Sequence, residues 1–156
     1  MSDSRIASLL KNLKDPHEDV RDQATEDLWR IWFGQKGALG LEAIRRSQLL
    51  LETGDVLNAE AVLSELIESQ PDFAEAWNRR AVLHYMQGRY RAAIADCERV
   101  IRLNPIHFGA LHGLGLCHVA LGEYSAAIAV FRQALEIQPF SLAHQRWILE
   151  CTAKLS

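Results

Sequence analysis

The sequence predicts an all-α fold, a right-handed solenoid of antiparallel helix pairs, because it repeats itself at one fixed interval. Three glycines and three prolines each recur every 34 residues: Gly54, Gly88 and Gly122, and Pro71, Pro105 and Pro139. Alanine keeps the same interval at Ala59, Ala93 and Ala127. A period of this size is typical of stacked supersecondary units that bury their apolar faces against one another. We therefore expect helix pairs that pack side by side.

The chain begins with a predicted helical hairpin, which together with a connector takes up residues 1–39. An apolar stripe at i, i+3, i+4 and i+7 predicts the first helix: Ile6, Leu9, Leu10 and Leu13. Asp15 and Pro16 interrupt the pattern, and a second helix is expected from Glu18 to about Trp32. Three glycines between residues 34 and 40 predict a loose connector to the repeats.

An aromatic cluster, Trp29, Trp32 and Phe33, ends this hairpin. Burial of even one such side chain contributes roughly 2–3 kcal/mol to stability. We expect the cluster to pack on the first repeat unit and to cap the N-terminal end of the array. The alternative is that Trp29 or Trp32 is an exposed contact for a partner.

The central unit has the clearest pair of predicted helices, at residues 73–87 and 89–103. Gly88 separates them, because a residue without a Cβ can adopt the left-handed conformation that ends a helix. Pro105 ends the second helix by restricting the residue before it. Asp72 and Glu75, three residues apart, are predicted to form a capping box at the start of the first helix.

The last predicted helix, residues 142–156, follows Ser141, which can cap it. Its apolar residues alternate with polar ones such as His144: Leu142, Trp147, Ile148, Cys151 and Leu155. We expect the apolar side to cover the last repeat unit and the polar side to face water, as the ends of solenoids require.

The repeating residues resemble the tetratricopeptide (TPR) repeat. The central unit carries the motif at Trp77, Ala81, Gly88, Tyr90, Ala93 and Pro105, and the third unit at Leu111, Leu114, Gly115, Gly122, Tyr124, Ala127, Phe131, Ala134 and Pro139. The first unit keeps Gly54, Ala59, Leu63 and Pro71 but has Ala43, Arg46 and Val56 at other motif positions. The resemblance implies TPR units at 40–73, 74–107 and 108–141. Residues 1–39 resemble a single HEAT-type repeat through Asp15 and Arg21.

The TPR resemblance implies a concave groove that binds a peptide or helix of another protein. Groove positions on the first helix of each unit are Ile44, Arg45, Gln48, Asn78, Arg79, Val82, Tyr85, Met86, His112, Leu116 and Val119. Arg45 and Arg79 can hold a carboxylate, whereas Gly109 and Gly113 would let a partner's backbone come close. We therefore expect a partner segment with apolar residues and an acidic group. The alternative is that these residues pack only against neighbouring helices.

One TPR subclass binds the acidic tails of chaperones through a carboxylate clamp of Lys, Asn and Arg. This sequence has Ile44, Gln48, Gly109 and Gly113 at most of the clamp positions, and Arg79 where the clamp has Asn. The resemblance therefore implies that no chaperone tail binds by this clamp.

The sequence contains no catalytic motif, phosphate-binding glycine loop or metal-binding histidine pair, so we expect no enzyme activity, cofactor or metal. The formal net charge is −3, which gives no general attraction to nucleic acid or to an anionic membrane. Cys97, Cys117 and Cys151 are expected to be buried free thiols. With no apolar run long enough to span a bilayer and no signal peptide, we expect a cytoplasmic protein.

These observations predict a non-catalytic protein-binding module that acts as an adaptor, scaffold or assembly factor. An alternative is self-association as a weak homodimer, through the aromatic cluster of Trp29, Trp32 and Phe33 or through the C-terminal helix. RNA binding is a minor alternative, because Arg45, Arg46, Arg79 and Arg80 are the only basic residues of the three first helices.

Overall fold

The computed structural model describes residues 2–156, in which it has nine α-helices and no β-strand. The helices are α1 (Ser2–Asn12), α2 (Glu18–Phe33), α3 (Gly37–Glu52), α4 (Val56–Ser69), α5 (Ala74–Met86), α6 (Tyr90–Leu103), α7 (Phe108–Ala120), α8 (Tyr124–Ile137) and α9 (Leu142–Leu155). The predicted all-α solenoid is confirmed. No described helix combines the length and the apolarity that crossing a membrane requires.

Three antiparallel pairs, α3 with α4, α5 with α6 and α7 with α8, stack in chain order. Within each pair a glycine follows the first helix with a positive φ, at Gly54 (84°), Gly88 (74°) and Gly122 (74°). Only glycine takes this conformation without steric cost, so the same turn recurs in every unit. The backbone conformation therefore repeats with the same period as the sequence.

Small residues hold the two helices of a pair close together. The alanine column at Ala59, Ala93 and Ala127 is at most 1% exposed. Gly115 takes the small position of the third unit, where a Cβ would lie 2.5 Å from the ring of Phe131. The aromatic ring therefore fills the volume that the missing side chain leaves free, in a core packed as densely as a crystal.

The connector after the hairpin is shorter than the sequence predicts. α3 begins at Gly37, which has a φ of 70°, so only residues 34–36 lie between α2 and α3. Gly40, predicted to loosen the chain, is buried inside α3, where a Cβ would meet Phe73 at 3.3 Å. It is a packing glycine rather than a flexible one.

The prediction for the N-terminal hairpin is right in one part and wrong in the other. Phe33 packs on the core cluster of the first unit that includes Ile44 and Leu63, but the hairpin does not cap the N-terminal end of the array. Trp32 stacks on His107 with ring centroids 4.4 Å apart, and Trp29 meets Phe108 edge to face at 5.5 Å. His107 is the N-cap of α7 and Phe108 is its first residue, so these partners lie where the second and third units meet. At its other end α2 places Arg21 over the ring of Phe140, between α8 and α9. The hairpin therefore lies across several units.

The C-terminal helix packs on α8 as expected, with Trp147, Ile148 and Cys151 of the predicted face against it, but the packing face differs at three other positions. His144, expected to face water, is buried beside Cys151, whereas Leu142 and Leu155 are exposed. The reason is that α9 continues the repeat register of the earlier first helices. His144 stands 34 residues after Ala110, which is buried in the corresponding place in α7. α9 thus occupies the position of the first helix of a further unit.

Candidate functional site

A buried polar network lies at the centre of the side where the groove is predicted. The Glu75 carboxylate is fully buried and accepts hydrogen bonds from His107 Nε2 (2.9 Å) and Asn78 Nδ2 (3.0 Å). His107 Nδ1 in turn accepts a hydrogen bond from the Ala110 amide at 3.0 Å. Because that nitrogen is an acceptor, the ring proton must be on Nε2, where it is donated to Glu75.

Glu75 therefore does not act in the predicted capping box. The N-terminal cap of α5 is Phe73, with no hydrogen bond from a side chain, and Asp72 instead binds Lys36 at 2.7 Å. The carboxylate of Glu75 points into the molecule instead. A buried carboxylate is tolerated only when hydrogen bonds satisfy it, and His107 and Asn78 supply these bonds.

The two tryptophans of α2 cover this network. Besides the stack of Trp32 on His107, the ring of Trp29 lies where a side chain of residue 109 would be, since a Cβ on Gly109 would be 2.5 Å from it. We expected Gly109 to admit a partner's backbone, and this is wrong: the space is filled by the chain's own indole. Trp29 and Trp32 therefore face inward and are not a free surface.

A first cavity of about 510 Å³ remains open beside the first unit. It is lined by Arg30, Phe33, Gly34, Leu41, Ile44, Arg45, Gln48 and Arg79. Arg45 is exposed, and the Arg79 guanidinium lies over the Phe33 ring at 4.6 Å. Arg79 Nε is also 3.3 Å from Glu75 Oε1, so the buried carboxylate partly neutralises its charge. The cavity combines an apolar floor with positive charge.

A second cavity of about 180 Å³ lies between α5 and α7 and is almost entirely apolar. Its lining is Asn78, Ala81, Val82, Tyr85, Cys97, Gly109, His112, Gly113, Leu116 and Cys117. Burial raises the pKa of Cys97 well above its ordinary range and that of Cys117 to about 11, so both thiols stay protonated. A small depression lined by Gln48, Arg79 and Val82, among others, lies between the two cavities.

The predicted groove residues divide into three groups. Ile44, Arg45, Gln48 and Arg79 line the first cavity, and Asn78, Val82, Tyr85, His112 and Leu116 line the second. Met86 is 62% exposed and lines neither, while Val119 packs on the core cluster around Ala127 and Phe131. Their contact with a partner stays a prediction.

The sequence reading missed the three lining residues that come from the hairpin, Arg30, Phe33 and Gly34. The aromatic density around Phe33 indicated a packing surface, but no periodicity relates the hairpin to the repeats. Its position could not be deduced from register.

Histidines line the far end of the site. The rings of His112 and His144 are 5.1 Å apart. Burial, followed by the nearby His112, lowers the pKa of His144 to about 4. Burial also lowers the pKa of His112. Both rings are therefore neutral near pH 7, so this end of the site carries no positive charge.

A family model of the tetratricopeptide repeat matches residues 44–105 and, overlapping them, 87–141. The chain belongs to the tetratricopeptide-repeat family. It is 35% identical over 94 residues to a TPR repeat-containing protein of Rhizobium etli, covering 60% of this chain and 46% of that one. It is 31% identical over 111 residues to the SGT1 homolog of Bos taurus, covering 67% and 33%. The chain thus spans less than half the length of these curated relatives.

Solved TPR structures share the fold. The first TPR of Spaghetti (RPAP3) bound to the HSP90 peptide SRMEEVD superposes with a TM-score of 0.70 at 17% identity, covering 74% of this chain and 91% of that one. The TPR2B domain of yeast Sti1 in its Hsp70 complex superposes with a TM-score of 0.66 at 23% identity, covering 72% and 95%. At these identities the likeness establishes the architecture of the TPR protein described here.

Proposed function

We propose that this TPR protein is a non-catalytic protein-binding module, acting as an adaptor, scaffold or assembly factor. The class of function follows from the family and from neighbours whose structures hold peptides of other proteins. Three buried free cysteines fit a reducing compartment, so the proposal places the protein in the cytoplasm.

The chemistry of the first cavity is the observation that carries the proposal. Its three guanidinium groups differ in whether a carboxylate of the chain lies beside them. Arg30 pairs with Asp27 at 3.0 Å and Arg79 lies 3.3 Å from Glu75, whereas Arg45 has no carboxylate within ion-pair distance among residues 2–156. Arg45 is therefore the group best able to hold a partner's carboxylate through two parallel hydrogen bonds.

The apolar surface next to Arg45 indicates that the partner also has apolar side chains. Leu41 and Ile44 form the floor of the first cavity, and the depression at Val82 leads on to the second, whose volume suits one apolar side chain. We propose that the partner is a peptide or helix that places an acidic group at Arg45 and an apolar side chain in each cavity. The prefolded site would need little ordering on binding.

The proposal excludes the carboxylate clamp used for chaperone tails. Ile44 is buried, Gln48 is uncharged, Gly109 is covered by Trp29, and position 113 is also a glycine, so these four positions supply no cation. Arg79, at the fifth position, already shares its charge with Glu75. A partner recognised mainly through apolar contacts fits this surface better than an acidic tail does.

Affinity capture from the native cell with the full chain as bait would identify a partner segment, and calorimetric titration would then test the site. Arg45→Ala and Tyr85→Ala are each expected to weaken binding about 10-fold, the loss of a contact worth ~1.4 kcal/mol. Arg132→Ala on α8, exposed and outside both cavities, is the matched control. Unchanged affinity in both site variants would refute the groove proposal.

A further inference from the structure

One face of α3 is exposed although the same face is buried in every later unit. Leu49 is 62% exposed, whereas the residues at successive intervals of 34, Leu83, Cys117 and Cys151, are each 1% exposed. In those units the second helix of the preceding unit covers the position. α3 lacks such a cover because the hairpin, which could have provided it, lies against α7 instead.

The rest of this face has the same contrast. Leu39 is 83% exposed, whereas its equivalents Phe73 and His107 are fully buried. Glu42 is exposed, while the equivalent position in the second unit is a buried alanine, Ala76. An exposed leucine alone means little, but two of them on a face that the fold otherwise buries indicate a surface for another helix.

The open face is a single stripe along α3. Leu39, Glu42, Arg46 and Leu49 are spaced by three, four and three residues, which places them on one side of a helix. Apolar residues stand at the two ends and opposite charges in the middle. Neither Glu42 nor Arg46 is in an ion pair with another described residue, and both are exposed.

This stripe complements itself. When two copies of α3 are antiparallel about a twofold axis near Ile44, Leu39 of each copy is opposite Leu49 of the other, and Glu42 is opposite Arg46. Isologous interfaces require this reciprocity, in which residue i meets j and j meets i. We propose that the α3 face binds the same face of a second copy of this chain, forming a symmetric dimer.

The exposed face of α9 has no such complementarity. α9 exposes Leu142 and Leu149 with Arg146 between them. An antiparallel pair of α9 helices would place Arg146 opposite Gln145 and would bring no acidic residue to it. Charge therefore selects α3 over α9 as the self-binding face, and the α3 pairing does not depend on the concave site.

The contact is small, and the dimer is correspondingly weak. α3 has 16 residues, so it is about 24 Å long. A single helix pair of this length buries less than the roughly 1,600 Å² of a standard interface, and we expect a dissociation constant on the order of micromolar or weaker.

Sedimentation velocity of the full chain across concentration provides the first test. The unmodified chain is expected to shift from monomer to dimer. Glu42→Arg and Arg46→Glu should each weaken the dimer about 10-fold, because either change sets like charges opposite each other. The double variant with both changes restores opposite charges, so its dimer should recover. A monomer at every concentration, larger polymers, or no recovery in the double variant would overturn the proposal.

Cysteine crosslinking tests the register. Leu39→Cys and Leu49→Cys variants, mixed and oxidised, should form a disulfide between different copies, whereas either variant alone should not, since its thiols lie about 15 Å apart along the helices. The native cysteines are buried. Leu149→Ser on α9 is the control and should leave the dimer unchanged. Equal crosslinking in the single variants, or loss of the dimer in the control, would contradict the α3 pairing.

Discussion

The two halves of the concave side have the same backbone geometry but opposite chemistry. Beside the first unit the surface is open and carries guanidinium groups, whereas beside the second and third units Trp29 and Trp32 cover the network of Glu75 and His107, and the cavity that remains there is small and apolar. The difference comes from one repeat position, which holds Leu41, Glu75 and Gly109 in successive units. Leucine lines a cavity, glutamate anchors a histidine, and glycine admits an indole. Repeat geometry fixes where a surface lies, and single residues decide whether the chain itself covers it.

The largest effect is expected from removing the buried carboxylate. Glu75→Ala leaves His107 and Asn78 without their shared hydrogen-bond acceptor and Arg79 without its ion-pair partner, so the free energy of unfolding should fall by about 3–5 kcal/mol. Urea titration measures this loss. Glu68→Ala, an exposed glutamate on α4, should change stability by less than about 0.5 kcal/mol. A loss of that small size at Glu75 would mean that the network does not anchor the covered half.

Acid is expected to destabilise the fold through His144, in the covered half of the concave side. The pKa of His144 is lowered from 6.5 to about 4, so between these values the unfolded chain binds a proton that the folded chain does not. The free energy of unfolding is therefore unaffected by His144 above pH 6.5 and decreases as the pH drops towards 4. Below that it no longer changes through this group, and the total decrease is at most about 3 kcal/mol.

Urea titrations at several pH values check this dependence. His144→Gln should remove it, and His17→Gln, at an exposed position, should retain it. If the two variants have parallel stability profiles from pH 7 to pH 4, burial of His144 does not contribute to acid sensitivity.

A smaller effect is expected from filling the space under Trp29. In Gly109→Ala the new methyl would clash with the ring, which overpacks the site and should destabilise the protein by about 1–3 kcal/mol. Gly113→Ala, one turn later in α7, meets only Cys97 Sγ at 3.5 Å and should be neutral or stabilising by up to about 1 kcal/mol. Tryptophan fluorescence should change only in the first variant. An equal free energy of unfolding in the two variants would show that Trp29 does not pack against Gly109.

The smallest effect is expected in the open half. Arg45 is exposed and pairs with no carboxylate among residues 2–156, so Arg45→Ala should change the free energy of unfolding by less than about 0.5 kcal/mol. Thermal unfolding checks this. A loss above 1 kcal/mol would show that Arg45 stabilises the fold and would weaken its assignment as a contact for a partner.

The repeat units were predictable because their signals are local. Gly88 ends a helix through its own backbone, and Ala93 approaches its neighbour because it is small, so register and pairing follow from the residues themselves. The hairpin was predictable as two helices but not in its position. Trp29 and Trp32 indicated that something large would be buried, yet it is the start of α7 that offers the imidazole of His107 and the glycine at position 109 to receive them.

By itself the sequence determined the all-α class, the repeat period and the helices, since turn glycines and apolar periodicity act over a few residues. The tertiary structure decided which surfaces remain open. A contact between Trp29 in α2 and Gly109 in α7 joins residues far apart in the chain, and no local rule selects it from the competing surfaces of α3. That choice covers the Glu75 and His107 network on the concave side and leaves the two cavities, together with the outer face of α3, available to a partner.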